Sequence, residues 1–136
     1  MLRTLNISSS GLSAQRLRMD TIAGNIAHSH TTMDEHGNKT AFQRRLVVLE
    51  ADPQGSHQQL GQGVRASVEL DTETVSRRVH DPSHPHADAQ GYVTYPNINV
   101  ITEFVNALEA TRAYEANLSA FQVTRNMIDS TFRLIS

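Results

Sequence analysis

The chain has 136 residues, 38% of them hydrophobic and 5% aromatic, with no Trp and no Cys. That supply fills one modest core rather than two, and it excludes disulfide and thiolate chemistry. A formal net charge of −2 leaves no electrostatic footprint for nucleic acid, which draws clustered Lys and Arg, so no nucleic-acid partner is expected.

Leu5, Leu12, Met19 and Ile26 recur every seven residues, with Ile22 between the last two and Ala14 and Leu17 on a neighbouring face. This predicts an amphipathic helix over 5–26. Gly11 and Gly24 each cost it about 1 kcal/mol relative to Ala, and small residues there let a second helix approach closely. A narrow stripe on a short helix is marginal in isolation. From His28 to Lys39 the periodicity stops, and His36-Gly37-Asn38 reads as a turn.

Phe42 to Glu50 is rich in β-branched residues, and Val64 to Leu70 alternates with Val64, Ala66, Val68 and Leu70 on one face. Both read as strands, and Thr74 to Val79 is a weaker strand candidate. Asp52-Pro53-Gln54-Gly55 and Gly61-Gln62-Gly63 supply turn chemistry between the first two. Asp81-Pro82-Ser83-His84-Pro85 cannot be helical. Gly91 before Tyr92 reads either as a simple turn or as part of an elbow over 88–97 that aims the following helix, with Pro82, Pro85 and Pro96 limiting its freedom.

Beyond Pro96, either Asn97 or Asn99 can cap a helix that runs to the end of the chain, and Glu103 suits the positive end of its dipole. Val100, Phe104, Ala107, Thr111, Tyr114, Leu118, Phe121, Arg125, Ile128, Phe132 and Ile135 follow the three-four spacing of a heptad seam, interrupted by Thr111 and Arg125. Those two read as register-setting or intersubunit contacts, or as a side chain snorkelling to water. Glu109 with Arg112 and Asp129 with Arg133 are spaced as pairs on the outer face. A helix from Asn99 to Ile135 is about 55 Å long, against roughly 30 Å for a compact domain of this size. Each large side chain left wet forgoes roughly 1.5–3 kcal/mol, so the stripe calls for a partner beyond a helix of some twenty residues. The expected fold is α+β: terminal helices paired as an extended coiled-coil-like hairpin, with a small β-rich insert between them. Its segments are a helix over 1–29, the insert and elbow over 30–96, and the long helix over 97–136.

Asn6-Ile7-Ser8, Gly11-Leu12-Ser13-Ala14-Gln15-Arg16-Leu17-Arg18-Met19-Asp20, Gly24-Asn25-Ile26-Ala27 and Thr31-Thr32 resemble the N-terminal signature of bacterial flagellar rod and hook proteins. A second and more selective match comprises Asp81-Pro82, Pro85, Ala87-Asp88, Gly91-Tyr92-Val93, Pro96-Asn97, Glu103, Ala110, Arg112, Tyr114 and Ala116-Asn117, which is similar to proximal rod subunits of that family. The two blocks cover about half of the chain, at its opposite ends. His28 stands where the family usually has Asn, and Phe104 where Met usually follows the Glu.

The resemblance implies a non-enzymatic, self-assembling axial subunit without cofactor or metal. It implies partners among other copies of the chain and other rod proteins, and uncleaved export by the flagellar type III apparatus. The paired helices then line the inner tube of the rod, outside the cytoplasmic membrane, with the insert further out. The residues expected at the assembly interface are Leu5, Leu12, Met19, Ile22, Ile26, Val100, Phe104, Tyr114, Leu118, Phe121, Ile128, Phe132 and Ile135. Those expected in the elbow and family motif are Asp81, Pro82, Pro85, Asp88, Gly91, Tyr92, Pro96, Asn97, Arg112 and Asn117.

No apolar run is long enough to span a bilayer, and the first thirty residues hold no signal-like apolar core, so neither direct membrane insertion nor cleaved secretion is expected. Two rival classes are a soluble coiled-coil adaptor that uses the same stripe, and a metal protein built on His80, His84 and His86 beside Asp81 and Asp88. The second lacks a helical His pair and sits in a Pro-broken segment, which favours solvated loop histidines.

Overall fold

The computed structural model describes residues 2–52 and 63–135, without the side chains of Leu2 and Ile135. The order is helix, four short strands, helix: α1 (Leu2–Ala27), β1 (Arg45–Ala51), β2 (Val64–Leu70), β3 (Arg77–His80), β4 (Tyr92–Tyr95) and α2 (Val100–Ile135). The turn residues expected at 53–55 and 61–62 lie outside the described residues.

α1 ends where the His28 N–H reaches the Gly24 carbonyl and both the N–H and the hydroxyl of Ser29 reach that of Ile26. These bonds satisfy carbonyls that a helix end leaves open. Asn99, not Asn97, caps α2: its Oδ1 accepts the N–H groups of Ile101 at 3.0 Å and Thr102 at 3.2 Å. Pro96, buried just upstream, keeps the helix from extending backward.

β1 and β2 pair antiparallel from Arg45↔Leu70 to Ala51↔Val64, and β3 and β4 pair from Arg77↔Tyr95 to His80↔Tyr92. The insert is therefore two separate two-stranded sheets. The expected strand over 42–50 begins late, at Arg45, because the Phe42 N–H is committed to the Thr31 carbonyl and the Gln43 side chain to that of Asp71. The weaker candidate over 74–79 shifts to Arg77–His80 for a similar reason. Asp71 Oδ1 accepts the Thr74 N–H and its Oδ2 accepts the Thr74 hydroxyl, which bends the chain there.

The apolar core is small: Ala14 and Ile22 of α1, Ala110 of α2 and Val93 of β4 are its buried members. α1 packs along α2 and also touches β1 and β2. The Ser10 hydroxyl accepts the Val64 N–H at 3.0 Å, fastening the hairpin to α1. Contacts between the helices pair Asn25 with Glu103, Arg18 with Glu109 and Gly11 with Asn117, an antiparallel register. Continued at the helical rise, that register sets Leu2 beside about residue 126, so about nine residues of α2, roughly 14 Å, project past α1. The approach expected at both glycines occurs at Gly11 alone, since nothing lies within 4 Å of a Cβ built on Gly24.

The link from β3 to β4 is set by two carboxylates. Asp81 Oδ1 accepts the Ser83 N–H and hydroxyl, and Asp88 Oδ1 accepts the N–H groups of Gln90 and Tyr92. Gly91 closes it at φ 79°, where a built Cβ falls 3.1 Å from Pro82 Cγ and 3.2 Å from His80 Nε2. Gly91→Ala is expected to cost more than about 1 kcal/mol, since it adds left-handed strain to a steric contact. A thermal melt checks this: a midpoint lowered by about 4 °C or more agrees with it, and an unchanged midpoint contradicts it.

Candidate assembly surface and the polar clamp beneath it

Four polar side chains from four parts of the chain meet where α2 begins. Glu103 is 1% exposed, as is Asn25, and Asp71 is also buried. Arg44, just ahead of β1, donates from Nε (2.9 Å) and Nη2 (2.5 Å) to Glu103 Oε1, and from Nη1 (3.2 Å) to Asp71 Oδ2. The Asn25 amide donates to Glu103 Oε2 at 3.1 Å and to the Arg45 carbonyl at 2.8 Å, while its Oδ1 accepts the Arg45 N–H at 2.9 Å. One cluster thus ties α1, both ends of the β1–β2 hairpin and α2 together. Opposite charges and filled hydrogen-bond positions are what make such burial tolerable.

Glu103 stands in the first turn of α2, as expected of an acid at the positive end of the dipole, and it is also the anion at the centre of this clamp. Nothing in the periodicity marked Asn25, Arg44 or Asp71 for the same cluster. The available signal was the family resemblance, whose motifs include Asn25 and Glu103.

The Asp71 carboxyl is held below its ordinary value of 3.8, chiefly by the Thr74 hydroxyl, against burial, with Arg44 and backbone N–H groups adding to the effect. Because the folded value lies below the unfolded one, this contribution is full above about pH 4 and is lost as pH falls through the folded value. Asp34, Asp81 and Asp88 are lowered in the same direction by their turn hydrogen bonds.

The face of α2 that α1 covers runs through Glu103, Ala107, Ala110, Tyr114, Asn117, Phe121, Thr124 and Ile128, all buried or half-buried. It shares Ala107, Tyr114, Phe121 and Ile128 with the expected seam. At the alternate positions it takes the residue before each expected one: 103, 110, 117 and 124 in place of 104, 111, 118 and 125. The whole seam is therefore rotated. Small or polar residues at those positions let α1 come close, and the bulky ones next to them turn outward.

Phe104 (57%), Leu118 (36%) and Phe132 (68%) are exposed, whereas Val100 is half-buried. Thr111 and Arg125 are exposed too, although the Thr111 hydroxyl still reaches Met19 Sδ of α1 at 3.6 Å. On α1, Leu5, Leu12, Met19 and Ile26 are half-buried and Ile22 is buried. The side chain of Ile135 lies outside the described residues. Ile101, Phe104, Val105 and Leu108 form a second, unexpected exposed stripe at i, i+3, i+4 and i+7, on the side of α2 away from α1. Met127 and Leu134 are exposed on the projecting end.

Among the motif residues, Asp81, Asp88 and Gly91 build the β3–β4 link, Tyr92 opens β4, Pro96 is buried and Asn117 lies against Gly11. Pro82 packs near Gly91, whereas Pro85, Asn97 and Arg112 are exposed. The expected Glu109 and Arg112 pair gives way to an interhelical one, Arg18 Nη2 to Glu109 Oε2 at 3.1 Å. His86 Nδ1 lies 2.7 Å from the Thr32 hydroxyl, and the His84 and His86 rings meet edge to face at 5.2 Å. Among the described residues no three His, Asp or Glu side chains gather so as to hold a metal ion, and no helix is long and apolar enough to cross a membrane.

Sequence comparison places this helix pair and insert in a known family. The profile described as "Flagella basal body rod protein" matches residues 5–32, and "Flagellar basal body rod FlgEFG protein C-terminal" matches 89–134. The flagellar basal-body rod protein FlgC of Aquifex aeolicus is 36% identical, over 97% of this chain and 95% of its own. That of Bacillus subtilis is 34% identical over 92% and 91%, and that of Borreliella burgdorferi 34% over 99% and 97%. This chain belongs to the FlgC family of flagellar basal-body rod proteins. Its role is that of a structural subunit in the basal-body rod, assembled with other rod components, and it serves motility.

Two outcomes follow from the clamp. Glu103→Ala leaves Arg44 with one carboxylate in place of two, and breaking a buried pair from one side costs about 3–5 kcal/mol. Urea unfolding is expected to show that loss in the midpoint. Asp71→Asn is expected to flatten the fall in stability that the parent chain should show as pH drops below the ordinary carboxylate value of 3.8. An identical slope in acid titrations of both would contradict the assignment.

Proposed function

We propose that this subunit builds the proximal rod by burying, against neighbouring subunits, the apolar surface of α2 that α1 leaves uncovered. The two terminal helices act as a coiled-coil-like hairpin lining the inner tube of the axial shaft, with the β-rich insert further out. The elbow over 88–97 aims α2 along that axis. In this reading the chain travels through the flagellar type III export apparatus without cleavage. It takes its place outside the cytoplasmic membrane, in the periplasm where an outer membrane is present, and it has no catalytic step.

One observation supports the reading above the rest: Phe104, Leu118, Met127, Phe132 and Leu134 are exposed along a single helix that outruns its helical partner, α1. Burial of side chains of that size is worth roughly 1.5–3 kcal/mol each, so contact between subunits gains what the isolated chain forgoes. Filament growth follows when unlike surfaces meet, because such contacts propagate instead of closing on a two-fold axis.

Phe104→Asp and Leu118→Asp test this at solvent-facing positions. Each is expected to leave the melt of the purified chain within about 0.5 kcal/mol of the parent, as surface changes do, while stopping rod assembly. Motile cells whose basal bodies carry either variant at the parental level would contradict it.

A further inference from the structure

The apolar lines of the two helices repeat with the same period: Leu5, Leu12, Met19 and Ile26 on α1, and Ala107, Tyr114, Phe121 and Ile128 on α2. Sliding α1 along α2 by seven residues, about 10 Å, sets one apolar line against the other again. Hydrophobic matching therefore leaves the axial register degenerate. Register also decides how much of α2 projects, since one such step changes the free end from about nine residues to about sixteen or about two.

Contacts that do not repeat must make the choice. The Asn117 side-chain amide lies flat on Gly11: a Cβ built there falls 3.1 Å from Nδ2 and 3.3 Å from both Cγ and Oδ1. Seven residues either way on α1 stand Thr4 and Arg18, each with the Cβ that Gly11 lacks. The Asn25 amide meets Glu103 in full burial, at 3.1 Å. The third interhelical polar pair, Arg18 with Glu109, has a carboxylate side chain 66% exposed and adds little selectivity.

We infer that Asn117 over Gly11, together with Asn25 on Glu103, are register pins: they select one of several heptad-related alignments and so set the length of the free end of α2. A polar or sterically unique residue in an otherwise repeating seam specifies alignment in this way. The inference rests on the packing of α1 against α2 and not on rod assembly, so either can fail without the other.

The natural chain contains no Cys, which permits a direct test. In the full-length protein, Met19→Cys with Thr111→Cys reports the observed register, in which these side chains touch at 3.6 Å. Leu12→Cys or Ile26→Cys with Thr111→Cys reports a slip of seven residues in either direction. With a short thiol crosslinker, the parent background is expected to link 19 to 111 only. Adding Asn25→Leu and Asn117→Leu is expected to raise a slipped link roughly tenfold and to lower the 19–111 link correspondingly. Parental yields at all three reporters, in a variant that keeps its helical circular dichroism, would overturn the inference. If the double variant loses its helicity, Asn117→Ala decides, because it removes only the amide over Gly11. A higher slipped yield there supports the pins, and an unchanged one overturns them.

Discussion

The two helices and the β1–β2 hairpin meet at the Glu103 carboxylate. It is buried at the start of α2 and takes two hydrogen bonds from Arg44 and one from Asn25, and Arg44 extends the link to Asp71 at the far end of β2. An ion pair this deep gives uncertain net stability compared with an apolar replacement. What it does supply is mutual dependence: the four side chains come from α1, the approach to β1, the exit of β2 and α2, and the Arg44 and Glu103 charges are paired only when those pieces are in place. A chain whose buried apolar side chains, among its described residues, are Ala14, Ile22, Val93, Pro96 and Ala110 has few other means of holding its pieces at fixed angles.

The helix pair shows how one repeat serves two surfaces. Ala107, Tyr114, Phe121 and Ile128 lie near the edge of the α1 contact, where a residue can touch α1 on one flank and remain partly open on the other. Ala110 is buried and Asn117 lies against Gly11, and their modest size brings α1 in close. The bulkier Phe104 and Leu118, one position along, then face away. Had the large residues pointed inward, the pair would have made a thicker core and left little apolar surface for a neighbour.

Much of this was legible from residues alone. The span of α2 and the bounds of β2 follow from heptad spacing, an Asn cap and strict alternation, which are local signals. The rotation of the seam was not legible, because Phe104 and Leu118 look like better core residues than Glu103 and Asn117 by hydrophobicity. Deciding between the two faces required knowing that Arg44, far off in sequence, would neutralise Glu103. The shifted start of β3 has the same origin: β propensity at 74–76 lost to the hydrogen bonds of Asp71 with Thr74. The exposed Ile101, Phe104, Val105 and Leu108 stripe is explicit in the sequence at helical spacing, but the stronger long seam drew the reading away from it.

The insert cannot be considered apart from the helices. Two-stranded sheets are at best marginal in water, and here each stands separately, with Leu49, Val68 and Leu70 of the first hairpin partly exposed. The hairpin keeps its place through the Ser10 hydroxyl at Val64, the Asn25 amide at Arg45 and the Arg44 guanidinium at Glu103. Every one of these anchors requires α1 or α2 to be helical at that point. Ordering of the helices and ordering of the β1–β2 hairpin are therefore one event in energetic terms, and any neighbour that buries the outer face of α2 stabilises that hairpin as well.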